Sequence, residues 1–347
     1  MGSSLPYLNI RQVKRLARKT KRMEEVTDEQ WNLVNKQNKS LVEEFIDYCI
    51  TVDRSPQTII GYTSDLRILM NWLREYCDNK EFFNINKRDV SKFQNWCIKQ
   101  GLSPSRIRRL KSSASSCANY IENMMDEDYP HFRNIINKIP APNLSFVREK
   151  TILSEEQIND LMNNLVESGN IQHACFVAVL AASGMRKSEI IQCDMNWFFG
   201  EPNIVEGMYI SPQIRTKGKG VGGKKLNKYV ICAIADKYLK MWEEERKRLG
   251  IEHESLFVTK RNGIWERIQI TTVDSWMRTF TIMTNIDIYC HSFRHYSGTW
   301  LKRNGVELSQ IRDFFGHEDS STTEIYIDIG KEENLKGMLK FLEQDDE

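Results

Sequence analysis

Several side chains in the C-terminal half of this sequence have types and spacings that suit chemistry on an anion. In His291-Ser-Phe-Arg294-His295 an imidazole and a guanidinium stand three residues apart, so on a helix they share one face. The guanidinium offers a planar fork of donors matched to two phosphate oxygens, and the imidazole donates a hydrogen bond or moves a proton near neutral pH. Downstream, Phe315-Gly316-His317 falls at a break between helical patterns and supplies another imidazole. Tyr326 follows nine residues after His317, across the polar stretch Glu318 to Thr323. A phenol with a pKa near 10 attacks a phosphodiester only with strong positive charge around it and an in-line approach. Upstream, Gly184-Met-Arg186-Lys-Ser-Glu189 follows a strongly apolar helical stretch, so the glycine ends that helix and Arg186 emerges at a turn able to reach a site. Between the two regions, Thr216-Lys217-Gly218-Lys219-Gly220 reads as a tight turn that would let a lysine extend into the same site. Taken singly, each has an ordinary structural explanation: a chance HxxR, a packed tyrosine, a surface lysine.

These residues need elements to position them. At 347 residues the chain is long enough for two domains, each with its own core, plus terminal appendages. From Ser40 to about Asn123 the apolar residues recur at helical spacing (Leu41, Phe45, Ile46, then Ile59, Tyr62, Leu66, Leu69, Trp72, Leu73), which predicts a small all-helical domain. Ser55-Pro56 and Ser103-Pro104 each have the form of a helix start, a capping hydroxyl followed by proline in the first turn. The helix after Ser103 opens with Arg106, Arg108, Arg109 and Lys111, a basic cluster suited to a phosphate backbone. Pro140 and Pro142 break the helical pattern, and Ser154-Glu-Glu-Gln157 then forms a capping box that opens a new helix. Beyond it the pattern predicts a helix, a strand pair (Met208 to Thr216 and Lys228 to Cys232) flanking the Gly/Lys-rich turn, then helices to the end. The expected fold is mainly α with a small β-sheet. Its organisation is a basic arm at 1–37, a helical domain at 38–130, a linker at 131–152, a second domain at 153–330 and a tail helix at 331–347. The arm carries Arg11, Lys14, Arg15, Arg18, Lys19, Lys21 and Arg22 with no acid among them, and reads equally as a DNA contact or a solvated chain end.

Composition narrows the class without choosing a function. The hydrophobic fraction of 40% and charged fraction of 28% are those of an ordinary globular protein. A net charge of +2 says little about a polyanionic partner, because local clustering of Lys and Arg decides phosphate affinity. The longest apolar stretch, Ala174 to Met185, is far shorter than the roughly 20 residues of a membrane span. The N-terminus lacks the pattern of a secretory signal, so a cytoplasmic location is expected. The eight cysteines are scattered with no CxxC pair, which points to reduced, mostly buried thiols and no metal site.

Together the signals run in the order Arg, Lys, HxxR, GH, Tyr. In this order and spacing the C-terminal part resembles the tyrosine recombinases, the phage-integrase family, whose motif reads approximately HxxRH, a glycine, then LGH and a tyrosine nine positions on. This chain has His291-Ser-Phe-Arg294-His295, Gly305, Phe315-Gly316-His317, Thr323 and Tyr326, and Gly184-Met-Arg186-Lys-Ser-Glu189 is similar to the family's first arginine box. The resemblance covers about 150 to 330, and Ser55-Pro-Gln-Thr58, Tyr62 and Leu66 are similar to the family's core-binding domain.

The resemblance implies two domains closed as a C-shaped clamp on double-stranded DNA, and strand breakage and rejoining through a 3′-phosphotyrosine on Tyr326, with neither cofactor nor metal. It implies that Arg186 and Arg294 clamp the scissile phosphate and that His317 donates to a non-bridging oxygen. His291 would assist proton transfer at the tyrosine, and Lys217 would protonate the leaving 5′ oxygen. Lys217, Lys219, Lys224 and Lys225 share a turn longer than the family's; Lys217, which sits where the incoming strand ends as the family's lysine does, is the preferred assignment, and Lys219 the alternative, otherwise a DNA contact. Glu189 is expected to support the site through nearby backbone or an arginine, and His295 to lie behind Arg294 or simply pack. The tail, with Leu335, Met338, Leu339, Phe341 and Leu342 on one face, is expected to dock on a neighbouring protomer in a homo-tetramer on paired sites, with accessory DNA-bending proteins as possible partners. The basic arm favours integration and excision of a mobile element over chromosome-dimer resolution or inversion. A type IB topoisomerase and a non-catalytic DNA-binding regulator are the rival readings.

Overall fold

Ser55, Ser103 and Ser154 each open a helix in the computed structural model, which describes residues 23–143, 151–216 and 223–316. Each hydroxyl accepts the backbone N–H three residues on (Thr58 at 3.3 Å, Arg106 at 3.2 Å, Gln157 at 3.1 Å), satisfying a donor that the first helical turn leaves without a partner. The chain divides into two compact units, one holding residues 23–143, the other 151–216 and 224–316.

The first unit is all helical: α1 (Asp28–Asn32), α2 (Lys36–Thr51), α3 (Pro56–Tyr76), α4 (Lys87–Lys99) and α5 (Pro104–Met124). Its core takes Leu41 and Phe45 from α2, Leu66, Met70 and Leu73 from α3, Phe93 and Cys97 from α4, and Ile107, Cys117 and Ile121 from α5. Each such side chain contributes roughly 1.5–3 kcal/mol by leaving water. The buried Asn38 is satisfied in place, accepting from the Phe82 N–H at 2.7 Å and donating to the Lys80 carbonyl at 3.0 Å.

The second unit is built around a helix with no polar face. It comprises α6 (Glu155–Glu167), α7 (Ile171–Ser183), α8 (Lys187–Ile190), α9 (Cys232–Leu249), α10 (Ile270–Thr284), α11 (Cys290–Arg303) and α12 (Leu308–Phe315). Every residue of α7 from Ala174 to Ser183 is buried, because the helix runs through the core against α6, α9 and α11. The strand pair expected around the Gly/Lys turn is split in two. β2 (Met208–Ile210) pairs with β1 (Ile204–Val205) and with β5 (Tyr229–Ile231), while β3 (Ile214–Thr216) pairs separately with β4 (Lys224–Leu226), all antiparallel. The break falls at Ser211 and Lys228, where the Ser211 N–H donates to the Lys228 carbonyl and the Lys228 N–H donates to Ser211 Oγ, and at Pro212, which has no N–H to offer a ladder. A last hairpin joins β6 (Val258–Arg261) to β7 (Ile264–Arg267). All eight cysteines are unpaired thiols, six of them buried. Among the described residues no helix is long and apolar enough to cross a membrane.

His173, in the first turn of α7, lies edge-on to Trp276 at 4.5 Å and Phe280 at 5.8 Å, and burial pushes its pKa from 6.5 down to about 4. The unfolded chain protonates this imidazole near pH 6.5, whereas the folded protein resists until about 4. Its stabilising share is therefore complete above the unfolded pKa and is lost as pH falls between the two values. Urea unfolding of His173→Phe and the parent, compared from about pH 7.5 to 4.5, should show a shallower loss in the variant; parallel curves would refute this account.

Candidate active site

α7 carries the chain into the site and Gly184 ends it there. This glycine adopts φ +57°, its N–H donates to the Leu180 carbonyl at 2.8 Å, and a Cβ at this position would lie 2.4 Å from the Phe315 ring. Two residues on, Arg186 occupies the N-cap of α8, partly exposed, with its guanidinium 2.9 Å from Glu189 Oε1. Glu189 is fully buried, and its other oxygen accepts the Arg186 backbone N–H at 2.9 Å. The expectation that Glu189 supports an arginine and nearby backbone is met by both bonds.

Arg294, on α11, is 5% exposed. Its Nη1 donates to the Gly184 carbonyl at 2.6 Å and its Nη2 to the Phe315 carbonyl at 3.2 Å, and its guanidinium carbon sits 4.2 Å from the centre of the Phe315 ring. His291, one turn earlier, keeps an exposed edge. Partial burial, then the positive charges of Arg294 and Arg186, lower its pKa below the ordinary 6.5, so the neutral imidazole predominates at pH 7. His295 is buried on the same helix.

A residue that the sequence reading treated only as the start of a strand completes this centre. Lys228, between β4 and β5, is 3% exposed, with its ammonium 3.3 Å from Glu189 Oε1 and 3.3 Å from the Phe315 carbonyl. Burial, and then the nearby arginines, lower its pKa, while Glu189 opposes them. For Glu189, burial raises the pKa, but Lys228, the Arg186 N–H and the two guanidiniums outweigh it and the carboxylate is held below its usual range. The only hint in the sequence was a lone charge opening an otherwise apolar strand.

The structure therefore brings Arg186, His291 and Arg294 together, with Glu189 and Lys228 behind them. Of the other residues singled out from the sequence, Lys217, Lys219, His317 and Tyr326 lie outside the described residues, as do most of the basic arm and all of the tail. Thr216 ends β3 and Gly316 caps α12, so Lys217 and His317 are the next residues in each case.

In the helical unit, two members of the basic cluster share one buried carboxylate. Asp65, on α3, accepts from Arg106 Nη1 at 2.5 Å, Arg109 Nε at 3.2 Å and Ser113 Oγ at 2.7 Å. Gly61, one turn before Asp65, leaves room for the Arg109 guanidinium, which lies 2.5 Å from where a Cβ would stand. Arg108 is turned to the Pro142 carbonyl at 3.0 Å. Lys111, expected on the same basic face, is instead buried, its ammonium bonded to the Ile139 carbonyl and to Gln94. The signal for Asp65 was an acid set within the apolar stripe of α3.

Gly184→Ala should destabilise the second unit by about 2 kcal/mol or more, combining the left-handed backbone cost of a Cβ with displacement of the Phe315 ring. Gly169 has φ +74° with nothing within 4 Å of its Cβ position, so Gly169→Ala isolates the backbone share. Equal losses in urea titrations of the two variants would mean that the Phe315 contact does not constrain the site.

Residues 151–333 match the phage integrase family, and residues 42–121 match the phage integrase N-terminal SAM-like domain. Over 328 residues the chain is 30% identical to the SPbeta prophage-derived recombinase-like protein YomM of Bacillus subtilis (strain 168), an alignment covering 92% of this chain and 95% of that protein. Among solved structures, the XerH site-specific recombinase bound to palindromic difH substrate shares the fold with a TM-score of 0.63 at 17% identity, covering 88% of this chain and 94% of that one. The Tn1549 transposon integrase in complex with circular intermediate DNA does so with a TM-score of 0.62 at 15% identity, covering 84% and 95%. The matched regions take in both units, and the clustered arginines and histidine fall inside the larger match: the chain belongs to the phage integrase family of tyrosine recombinases.

Proposed function

We propose that this protein is a site-specific DNA recombinase in which Tyr326 is the nucleophile. The Tyr326 oxygen attacks the scissile phosphorus, the bond to the 5′ oxygen breaks, and the products are a 3′-phosphotyrosine and a 5′-hydroxyl. A 5′-hydroxyl from a partner duplex then attacks the phosphotyrosine, releases Tyr326 and reseals the strand. The covalent link keeps the free energy of the original bond, so no high-energy cofactor is consumed. The observation that carries the reading is the convergence of Arg186, Arg294 and His291 around the buried Glu189, inside the family match.

In this reading Arg186 and Arg294 face the non-bridging oxygens and stabilise charge that builds up in the pentacoordinate transition state. His317 donates a further hydrogen bond, Lys217 protonates the leaving oxygen, and neutral His291 takes up the tyrosine proton. The positive charge comes from side chains, so the proposed reaction runs without a divalent ion. Arg106 and Arg109, fixed by Asp65, contact the DNA backbone, and Arg108 is a further contact on the side of α5 that carries Lys111. Integration and excision of a mobile element is the preferred role, supported by the basic arm and by the prophage relative; chromosome-dimer resolution or DNA inversion is the alternative. Assembly is a tetramer on paired sites, with the 331–347 tail docking between protomers, in the compartment that holds the DNA.

The test is incubation with EDTA and nicked suicide duplexes drawn from DNA flanking the gene. A covalent adduct that forms in EDTA and disappears in Tyr326→Phe is expected, and Arg294→Ala should slow its formation by about 10²–10³-fold. Because the His291 pKa is lowered, the acid limb of the rate profile should reach its half-loss only below pH 6.5. Half-loss at 6.5 or above would remove His291 from the role of base. Relaxation of supercoils without partner exchange would favour a topoisomerase, and tight DNA binding with no adduct a regulator.

A further inference from the structure

We propose that Lys228 is a positioning residue of this site: its ammonium ties the carboxylate that holds Arg186 to the carbonyl that ends the helix leading into His317. The proposal rests on the recombinase reading for its chemistry, and on the geometry alone for its structural part.

The lysine backbone is fixed first. Its N–H donates to Ser211 Oγ at 2.8 Å, its carbonyl accepts the Ser211 N–H at 2.9 Å, and Asn227 beside it donates to the Ser211 carbonyl at 2.6 Å. The side chain then runs inward with 4% of its surface exposed. A methionine would fill a similar volume without burying an ammonium, so the contribution of the charge lies in what it binds. It binds two segments far apart in sequence. One is Glu189, which holds both the guanidinium and the backbone of Arg186. The other is the Phe315 carbonyl, which also accepts from Arg294. The next residue, Gly316, packs directly over this strand, with its Cβ position 2.8 Å from Leu226 and 3.8 Å from the Lys228 ammonium. Loss of the ammonium would release Glu189 on one side and the end of α12 on the other. The Lys228 ammonium is engaged by Glu189 and the Phe315 carbonyl, which separates its role from that proposed for Lys217.

Lys228→Met, Lys228→Gln and Lys228→Arg test this in single-turnover cleavage of the suicide duplex, with thermal unfolding and DNA half-saturation measured alongside. The expected result for Met or Gln is a rate at saturating DNA lowered by about a hundredfold, half-saturation within about twofold, and recovery in Lys228→Arg to within about tenfold of the parent. A duplex with sulfur replacing the 5′ bridging oxygen needs no proton on its leaving group and should not rescue Met or Gln. An unchanged rate, rescue by sulfur, or a loss confined to half-saturation would overturn the proposal. So would failure of both Met and Gln to fold, which would make Lys228 a stability residue and nothing more. If the parent chain itself forms no adduct, the recombinase reading fails separately, and hydrogen exchange decides for Lys228. Faster exchange in Lys228→Met at both Lys187–Ile190 and Leu308–Phe315 than elsewhere in the unit supports the tie; uniform exchange overturns it.

Discussion

Glu189 has no surface exposed to water, and three cations surround it: Arg186 and Lys228 in contact, Arg294 close enough to act on its titration. A carboxylate in that position is stable only while its partners stay in place, and removing one side of such a pair costs about 3–5 kcal/mol. The arrangement also has a sign. One negative and three positive charges leave the cluster net positive by two, so the carboxylate orders the cations without cancelling them. In the proposed reaction a phosphate approaching Arg186 would meet a guanidinium whose direction is already set, leaving little ordering to be done at the moment of binding.

The helical unit uses the same device at its surface. Asp65 is 1% exposed, whereas the Arg106 and Arg109 side chains are 27% and 59% exposed, so the anion is hidden and the cations face outward. Water screens the outer ends, and the contribution of these pairs to stability is correspondingly small. What they fix is direction: two guanidiniums are held over the crossing of α3 and α5, one of them in the space that Gly61 leaves. Lys111, drawn inward to the Ile139 carbonyl, adds nothing to that face.

Much of this was legible in the sequence because short-range rules decide it. Serine caps fix the starts of α3, α5 and α6, and Gly184 and Gly316 end their helices in the left-handed conformation. Arg186, His291 and Arg294 were identifiable because helix spacing and family pattern coincide on them. Lys228 and Asp65 were not, since their meaning depends on residues tens of positions away: Glu189 and Phe315 for the one, Arg106 to Ser113 for the other. The split of the strand pair was hidden for a related reason. The sequence marks Met208 to Thr216 as extended, but one ladder stops at Ile210 and the next begins at Ile214, with Ser211 and Lys228 bonded across the gap between them. Lys111 shows the converse, a basic residue whose helix position carried it into the interior.

The site also reveals why its cations are held largely by backbone. Arg294 bonds the Gly184 and Phe315 carbonyls, and Lys228 shares the second of these. Both carbonyls belong to helix C-termini, those of α7 and α12, where unpaired C=O groups present the negative end of the helix dipole. Partial charges there attract guanidinium and ammonium without adding a formal negative charge to the cluster. Had carboxylates done all of this work, each further one would have lowered the net charge of the cluster by a full unit. Two helix ends can meet so closely only because Gly184 has no Cβ where the Phe315 ring lies. Backbone geometry at that one residue thus sets how near two dipole ends come, and with it how firmly Arg294 is held.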